Sequence, residues 1–284
     1  MRVDLTKFMT AFAWPRLGPV LAVICASLLS ACQSGTLPSS DIAGAQAGSD
    51  ANLQSLSAVV NRTPSDPNAY NIRGAALGKA RRYEEAIADF NRALQLNPRF
   101  YQAYANRGLV YRFMGNNDQA VQDYDRAIQV NPNYATAYIR RGNVYRKSSQ
   151  LARALEDYNR AVQLQRTNPE AFHNRGLVYQ AQNLHNFALE DFTTAIGLAP
   201  QAPAPYNARG ESYLAVGDAR SALDDFNAVV SRQRSNAQGW YNQGRALQAL
   251  GRNSEAVSSY QKSLTLNPKN NAAKQALETA RRAG

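Results

Sequence analysis

Residues 104–111 read YANRGLVY, and residues 138–145 read YIRRGNVY. The same phrase returns as YNIRGAAL at 70–77, FHNRGLVY at 172–179, YNARGESY at 206–213 and WYNQGRAL at 240–247. Its glycines are Gly74, Gly108, Gly142, Gly176, Gly210 and Gly244, each 34 residues after the last. Six units follow without insertion, over 67–100, 101–134, 135–168, 169–202, 203–236 and 237–270. Self-similarity at a fixed period of this length is the mark of stacked supersecondary units, each too small to bury its own apolar face.

Within a unit, two stretches of 3.6-residue periodicity flank a turn, written Gly115-Asn116, Gly217-Asp218 and Gly251-Arg252 in three of the units. The first helix carries a large residue four places before the glycine (Tyr70, Tyr104, Tyr138, Phe172, Tyr206, Trp240). The second carries a small one (Ala86, Ala120, Ala154, Ala188, Ala222, Ala256) and an aromatic four residues later (Phe90, Tyr124, Tyr158, Phe192, Phe226, Tyr260). Glycine inside a helix costs about 1 kcal/mol relative to alanine. Its return at one position in every unit implies a close helix–helix approach there, with the aromatics packed round it as core. Asn97-Pro98, Asn131-Pro132, Ala199-Pro200 and Asn267-Pro268 close second helices; Arg166 and Arg234 replace the proline in units three and five, where looser or slightly turned joints are expected.

An arginine precedes the glycine in five units (Arg73, Arg107, Arg141, Arg175, Arg209), and the second helices answer with Asp89, Asp123, Asp157, Asp191 and Asp225. The sixth unit lacks both members, having Gln243 and Ser259. Joint loss predicts that each arginine pairs with the aspartate of its own hairpin. The row is therefore read as internal and not as a phosphate-binding stripe.

With these positions in view, the units resemble tetratricopeptide repeats over residues 67–270. The resemblance implies an all-α fold: a right-handed α-solenoid of six 34-residue helical hairpins, closed by a capping helix over 271–284 and preceded by a short helix over 52–66. It further implies that partners bind along the concave surface of the first helices. Carried over position by position, that surface offers Lys79, Arg112, Phe113, Arg140, Asn143, Arg146 and Lys147 in units one to three. Units four to six offer His173, Asn174, Asn207 and Tyr241. The first half is cationic and the second amide-rich. Of the carboxylate clamp of chaperone-binding members, Asn106 and Arg140 match, whereas Asn71, Ala75 and Thr136 replace the other three residues.

The N-terminus reads as an address. Arg2, Lys7 and Arg16 precede an apolar run from Leu17 to Ala31, too short for a stable membrane span but of secretory length. The run closes on Leu29-Ser30-Ala31-Cys32, which resembles the bacterial lipobox. Residues 1–31 are accordingly expected to be a lipoprotein signal peptide and Cys32 the lipidated residue, followed by a small, polar tether to residue 51. By the same resemblance, Gln33 in place of aspartate favours an outer-membrane, periplasm-facing location.

The chain of 284 residues carries a net charge of +11, two cysteines, both N-terminal, and two histidines, His173 and His185. No phosphate-binding glycine loop, metal-ligand cluster or nucleophile elbow appears, so no catalytic, metal or cofactor site is expected. An export signal argues against nucleic acid as a partner. The expected function is a membrane-anchored adaptor of the cell envelope that binds partner proteins in the groove. The alternative is a tethering lipoprotein that binds copies of itself, as a homo-oligomer, or anionic wall polymers.

Overall fold

The structure, a computed structural model, describes residues 48–284; the signal segment, Cys32 and the tether up to residue 47 lie outside the described residues. Fourteen helices and no strand occur among the described residues. Helix α1 (Asp50–Arg62) leads into six hairpins. These are α2 (Pro67–Lys79) with α3 (Tyr83–Leu96), α4 (Tyr101–Phe113) with α5 (Asn117–Val130), and α6 (Ala135–Lys147) with α7 (Leu151–Leu164). They continue as α8 (Pro169–Ala181) with α9 (His185–Leu198), α10 (Pro203–Ala215) with α11 (Ala219–Arg232), and α12 (Ala237–Ala249) with α13 (Asn253–Leu266). Helix α14 (Asn271–Ala283) ends the chain. The fold is an all-α helical repeat solenoid.

Helix α1 starts two residues before the periodicity of the sequence suggests, because the Ser49 hydroxyl accepts from the Asn52 backbone N–H and so caps Asp50 as its first residue. It stands where a second helix would stand in a preceding hairpin. Its joint to α2 is closed by the Asp66 N–H on the Thr63 carbonyl at 3.0 Å, the bond that closes every later joint between hairpins. Helix α14 plays the converse part, a first helix without a second: it buries Ala273, Leu277 and Ala280 against the last hairpin and leaves Lys274, Glu278, Arg281 and Arg282 in solvent.

Each helix packs only on those one or two places away in the chain. First helices touch the first helices before and after them, whereas second helices never touch one another. The first helices therefore form the tighter, inner layer, and the face they present is the concave one. Stability in such an array builds from hairpins and nearest-neighbour interfaces.

The hairpin interior answers the glycine puzzle. A Cβ built on Gly74, Gly108, Gly142, Gly176, Gly210 or Gly244 would lie 2.5–2.9 Å from the ring of the aromatic sixteen residues on. Those six rings and the six alanines one turn before them have no solvent-exposed surface. Burial of each ring contributes about 1.5–3 kcal/mol.

The joints at Arg166 and Arg234 are not looser. Gln165 and Gln233 close their helices at φ/ψ of −141°/85° and −133°/78°, against −139°/92° at Asn97. What sets the joint is the backbone bond between hairpins, kept at 3.3 Å from Asn168 to Gln165 and 3.0 Å from Asn236 to Gln233. The proline is dispensable to it: after Arg166 a proline, Pro169, opens the following helix, but after Arg234 the following helix opens on Ala237 with no proline at all.

Candidate functional site

Five arginines leave the pool of free cations first. Arg73, Arg107, Arg141, Arg175 and Arg209 each donate from Nε and Nη2 to both carboxylate oxygens of Asp89, Asp123, Asp157, Asp191 and Asp225, at 2.6–3.0 Å. Each Nη1 then reaches back one hairpin, to Ser57, Asn91, Asp125, Asn159 and Thr193 in turn. The guanidinium planes also lie 5.7–5.9 Å from the preceding aromatics Tyr70, Tyr104, Tyr138, Phe172 and Tyr206. One residue thus ties its own hairpin together and ties it to the last. In the sixth unit a neutral version survives: Ser259 donates to Gln243 Oε1 at 2.8 Å, and Gln243 Nε2 donates to Asn227 at 2.7 Å. The aspartates are buried enough that desolvation pushes the Asp123, Asp157, Asp191 and Asp225 carboxyls up despite their partners. These pairs fix register more than they add net stability.

The concave layer keeps its own charges. Along the first helices of units one to three stand Lys79, Arg112, Arg140, Arg146 and Lys147, with no acidic residue at the corresponding groove positions. Lys79 and Lys147 are exposed at the helix ends; Arg112, Arg140 and Arg146 are half-buried. Arg140 is fixed by donating to the Ala105 carbonyl at 3.0 Å and to Asn106 Oδ1 at 3.2 Å, and Asn106 donates in turn to Asn71 at 3.1 Å. A pocket of about 540 Å³ opens between the first two hairpins, lined by Tyr83, Phe90, Leu109, Val110 and Phe113 with Lys79, Asn106 and Arg140 on its rim. Phe113 is 57% exposed, stacks parallel to Tyr83 at 6.4 Å, and has the Arg112 guanidinium 4.9 Å from its centre.

Past unit three the groove changes character. Glu170 and Glu211 are acidic, Arg245 is cationic, and amides dominate. Glu211 Oε1 accepts from Asn207 at 3.1 Å and from Asn242 at 3.0 Å, while Asn242 also donates to Asn207 at 2.9 Å. His173 packs on Phe192 with centroids 5.7 Å apart, and burial, with the nearby Arg146, lowers it to about 4, so it is neutral near pH 7. Asn143 accepts from the Tyr158 hydroxyl at 2.7 Å and is as much a support of the core as a contact. Asn174 is buried and presents little surface, unlike Asn207 and the half-buried Tyr241. Of the residues singled out from sequence, the structure gathers Lys79, Phe113 and Arg140 round one pocket and His173 and Asn207 round another. Tyr83 and Leu109 escape the sequence reading, which took charged, amide and aromatic positions of the first helices: Tyr83 lies on a second helix and Leu109 is aliphatic. Among the described residues no group of three or more His, Cys, Asp or Glu could hold a metal ion, and no helix is long and apolar enough to cross a membrane.

Sequence models described as tetratricopeptide repeats match residues 67–100, 101–134 and 207–271, and one described as a TPR repeat matches 142–183. The chain belongs to the tetratricopeptide repeat family. As a TPR protein it has the architecture of a protein-interaction scaffold. Among solved structures it is similar to the APC/C hetero-tetramer Cut9-Hcn1, with a TM-score of 0.71 at 17% identity over 84% of this chain and 47% of that one. It thus spans about half the length of that relative. PilF of Pseudomonas aeruginosa gives 0.69 at 18% identity, over 77% of this chain and 99% of its own. YrrB, a TPR protein with an unusual peptide-binding site, gives 0.58 at 23% identity, over 66% and 97%. These likenesses establish the fold. Comparison with curated proteins gives no significant match.

Proposed function

We propose that this TPR protein is a lipid-anchored adaptor of the bacterial cell envelope, facing the periplasm from the outer membrane, that holds segments of partner proteins in its concave groove and catalyses nothing. The observation that carries the groove reading is the continuous first-helix surface whose side chains shift from cationic and aromatic at one end to amide-rich at the other. The peptide-binding site of YrrB supports a role of this kind, and likeness to PilW, a type IV pilus biogenesis factor of the same fold, supports a bacterial setting for it. The anchor rests on the lipobox-like Leu29-Ser30-Ala31-Cys32 behind its apolar run.

Two measurements test this. Metabolic labelling with a fatty acid should mark the wild-type chain and not Cys32→Ser; equal labelling removes the anchor. Photo-crosslinking in cells from position 146, with a convex-face position such as 156 as control, should capture envelope proteins from the groove alone. Capture of the chain itself would replace the adaptor by a self-associating lipoprotein.

A further inference from the structure

Tyrosine stands at the aromatic position of the second helix in units two, three and six; the other three have phenylalanine. Each ring packs against the glycine of its hairpin, so a hydroxyl there lies against the first helix, buried beneath the groove surface. Two of the three hydroxyls find an acceptor on the first helix. Tyr158 donates to Asn143 Oδ1 at 2.7 Å, and Tyr260 donates to Gln248 Oε1 at 2.8 Å. Tyr124 has none. The residue that corresponds to Asn143 is Leu109, and the one that corresponds to Gln248 is Arg112, itself a donor. Tyr124 is fully buried and its hydroxyl reaches no hydrogen-bond acceptor, its nearest polar neighbour being the Arg112 guanidinium, whose buried Nε has no partner either. An orphaned buried hydroxyl is unfavourable and calls for an explanation, such as an acceptor that arrives from outside.

The surroundings say which acceptor. Burial pushes the Tyr124 hydroxyl up to about 12 against the opposing charges of Arg140 and Arg112, so it stays a neutral donor with two guanidiniums close by. The Tyr124 hydroxyl and the Arg112 Nε are donors left without an acceptor, and Arg140, though bonded through Nη1 to the Ala105 carbonyl and Asn106, adds a further cationic donor; such a set beneath the groove floor suits an anion. The apolar pocket beside them, with Phe113 more than half exposed and Arg140 on its rim, suits a side chain.

We infer that this floor receives one carboxylate of an acidic polypeptide segment, held by the Tyr124 hydroxyl and the Arg112 and Arg140 guanidiniums, with a neighbouring apolar side chain of the segment seated on Phe113, Tyr83 and Leu109. The inference rests on the groove reading above and gives it a chemistry: an internal Asp or Glu beside an aromatic or large aliphatic residue. Further acidic residues would run toward Arg146, whose Nε is likewise buried without a partner, and Lys147. A lipid headgroup or wall polymer would use the charges and leave the pocket empty, which is why a polypeptide is favoured.

The test uses the full chain, a Gly/Ser peptide blocked at both ends that carries Asp-Phe-Asp, its Asn-Phe-Asn counterpart, and phosphatidylglycerol vesicles. The Asp peptide should bind at least about tenfold more tightly than the Asn peptide. Tyr124→Phe should weaken the Asp peptide by about tenfold while raising the melting temperature of the free chain, since the orphaned hydroxyl goes and phenylalanine fills the same place in three other units. Phe113→Ser should weaken it comparably. Unchanged affinity in Tyr124→Phe overturns the inference, as does a Tyr124 dependence seen with vesicles and not with the peptide. If crosslinking from position 146 captures a partner but the Asp peptide does not bind, the acidic segment is rejected and the groove reading stands. If both fail, both are rejected.

Discussion

The guanidinium of Arg141 and the carboxylate of Asp157, on the two helices of one hairpin, meet through parallel hydrogen bonds of 3.0 and 2.6 Å. A third bond carries the same guanidinium to Asp125 of the preceding hairpin. Asp157 is 2% exposed, so its charge has no recourse to water when the partner is lost. Removing one member of such a pair costs about 3–5 kcal/mol, whereas replacing both with a matched neutral pair is close to neutral.

Asp157→Asn should therefore lower stability by about 3 kcal/mol, read as a drop in melting temperature and in the urea midpoint. The sixth unit supplies the rescue, because Gln243 and Ser259 keep the geometry without charge. Arg141→Gln combined with Asp157→Ser should recover most of the loss. A double variant no better than Asp157→Asn alone would show that the charges, and not the connectivity, hold the hairpins in register.

Gly142 should resist alanine for a different reason. A methyl there gains about 1 kcal/mol of helix propensity but would lie 2.9 Å from the Tyr158 ring, which is fully buried and held at its hydroxyl by Asn143. Overpacking of this kind costs about 1–3 kcal/mol, so Gly142→Ala is expected to be net destabilising by urea denaturation. A stabilised variant would mean that the hairpin can open freely, contrary to the packing described.

The turns inside the hairpins give the opposite sign. Arg81, Ser149 and Asn183 have φ of 58–61°, where Gly115, Gly217 and Gly251 stand in the other units. A left-handed conformation costs a non-glycine residue about 1–2 kcal/mol, somewhat less for asparagine, and glycine gives some of that back through its own chain entropy. Ser149→Gly should stabilise by about 1 kcal/mol with no change in the denaturant slope, and Gly115→Ala should destabilise by a similar amount.

Much of this was legible in the sequence because it depends on residue identity at a fixed period. The glycine recurs in every unit with a phenylalanine or tyrosine as its partner, and the arginine recurs with its aspartate in five. The backward contact of each arginine did not show, since its acceptor is Ser57, Asn91, Asp125, Asn159 or Thr193 in turn: the chemistry is kept and the letter is not. The position of α1 as half a hairpin was hidden for a similar reason, as Asn52 stands where the other second helices have alanine and Leu56 where they have the aromatic. The expectation of loose joints at Arg166 and Arg234 credited proline with a task that a backbone hydrogen bond performs. In the groove, charge could be read from position, but the orphaned Tyr124 hydroxyl emerges only when Leu109 and Arg112 are seen in three dimensions to offer it no acceptor.

His173 gives the pH dependence. In the unfolded chain a histidine titrates near 6.5; in the fold, burial and the nearby Arg146 lower it to about 4. A depressed value means that the folded state takes up the proton less readily than the unfolded one. The contribution is fully present above pH 6.5 and is lost as the pH falls through 6.5 toward 4, to a total of about 3 kcal/mol. His173→Asn, with the residue found at Asn71 and Asn207 in other units, should flatten the decline in urea-unfolding free energy between neutral pH and pH near 4 by that order. In the wild type, an NMR titration should find His173 still neutral at pH near 5.5, where an unperturbed histidine is mostly charged. A His173 that titrates near 6.5, with an acid limb identical in the variant, would place its ring in solvent. It would also take away the neutral, packed residue that separates the cationic half of the groove from the amide-rich half.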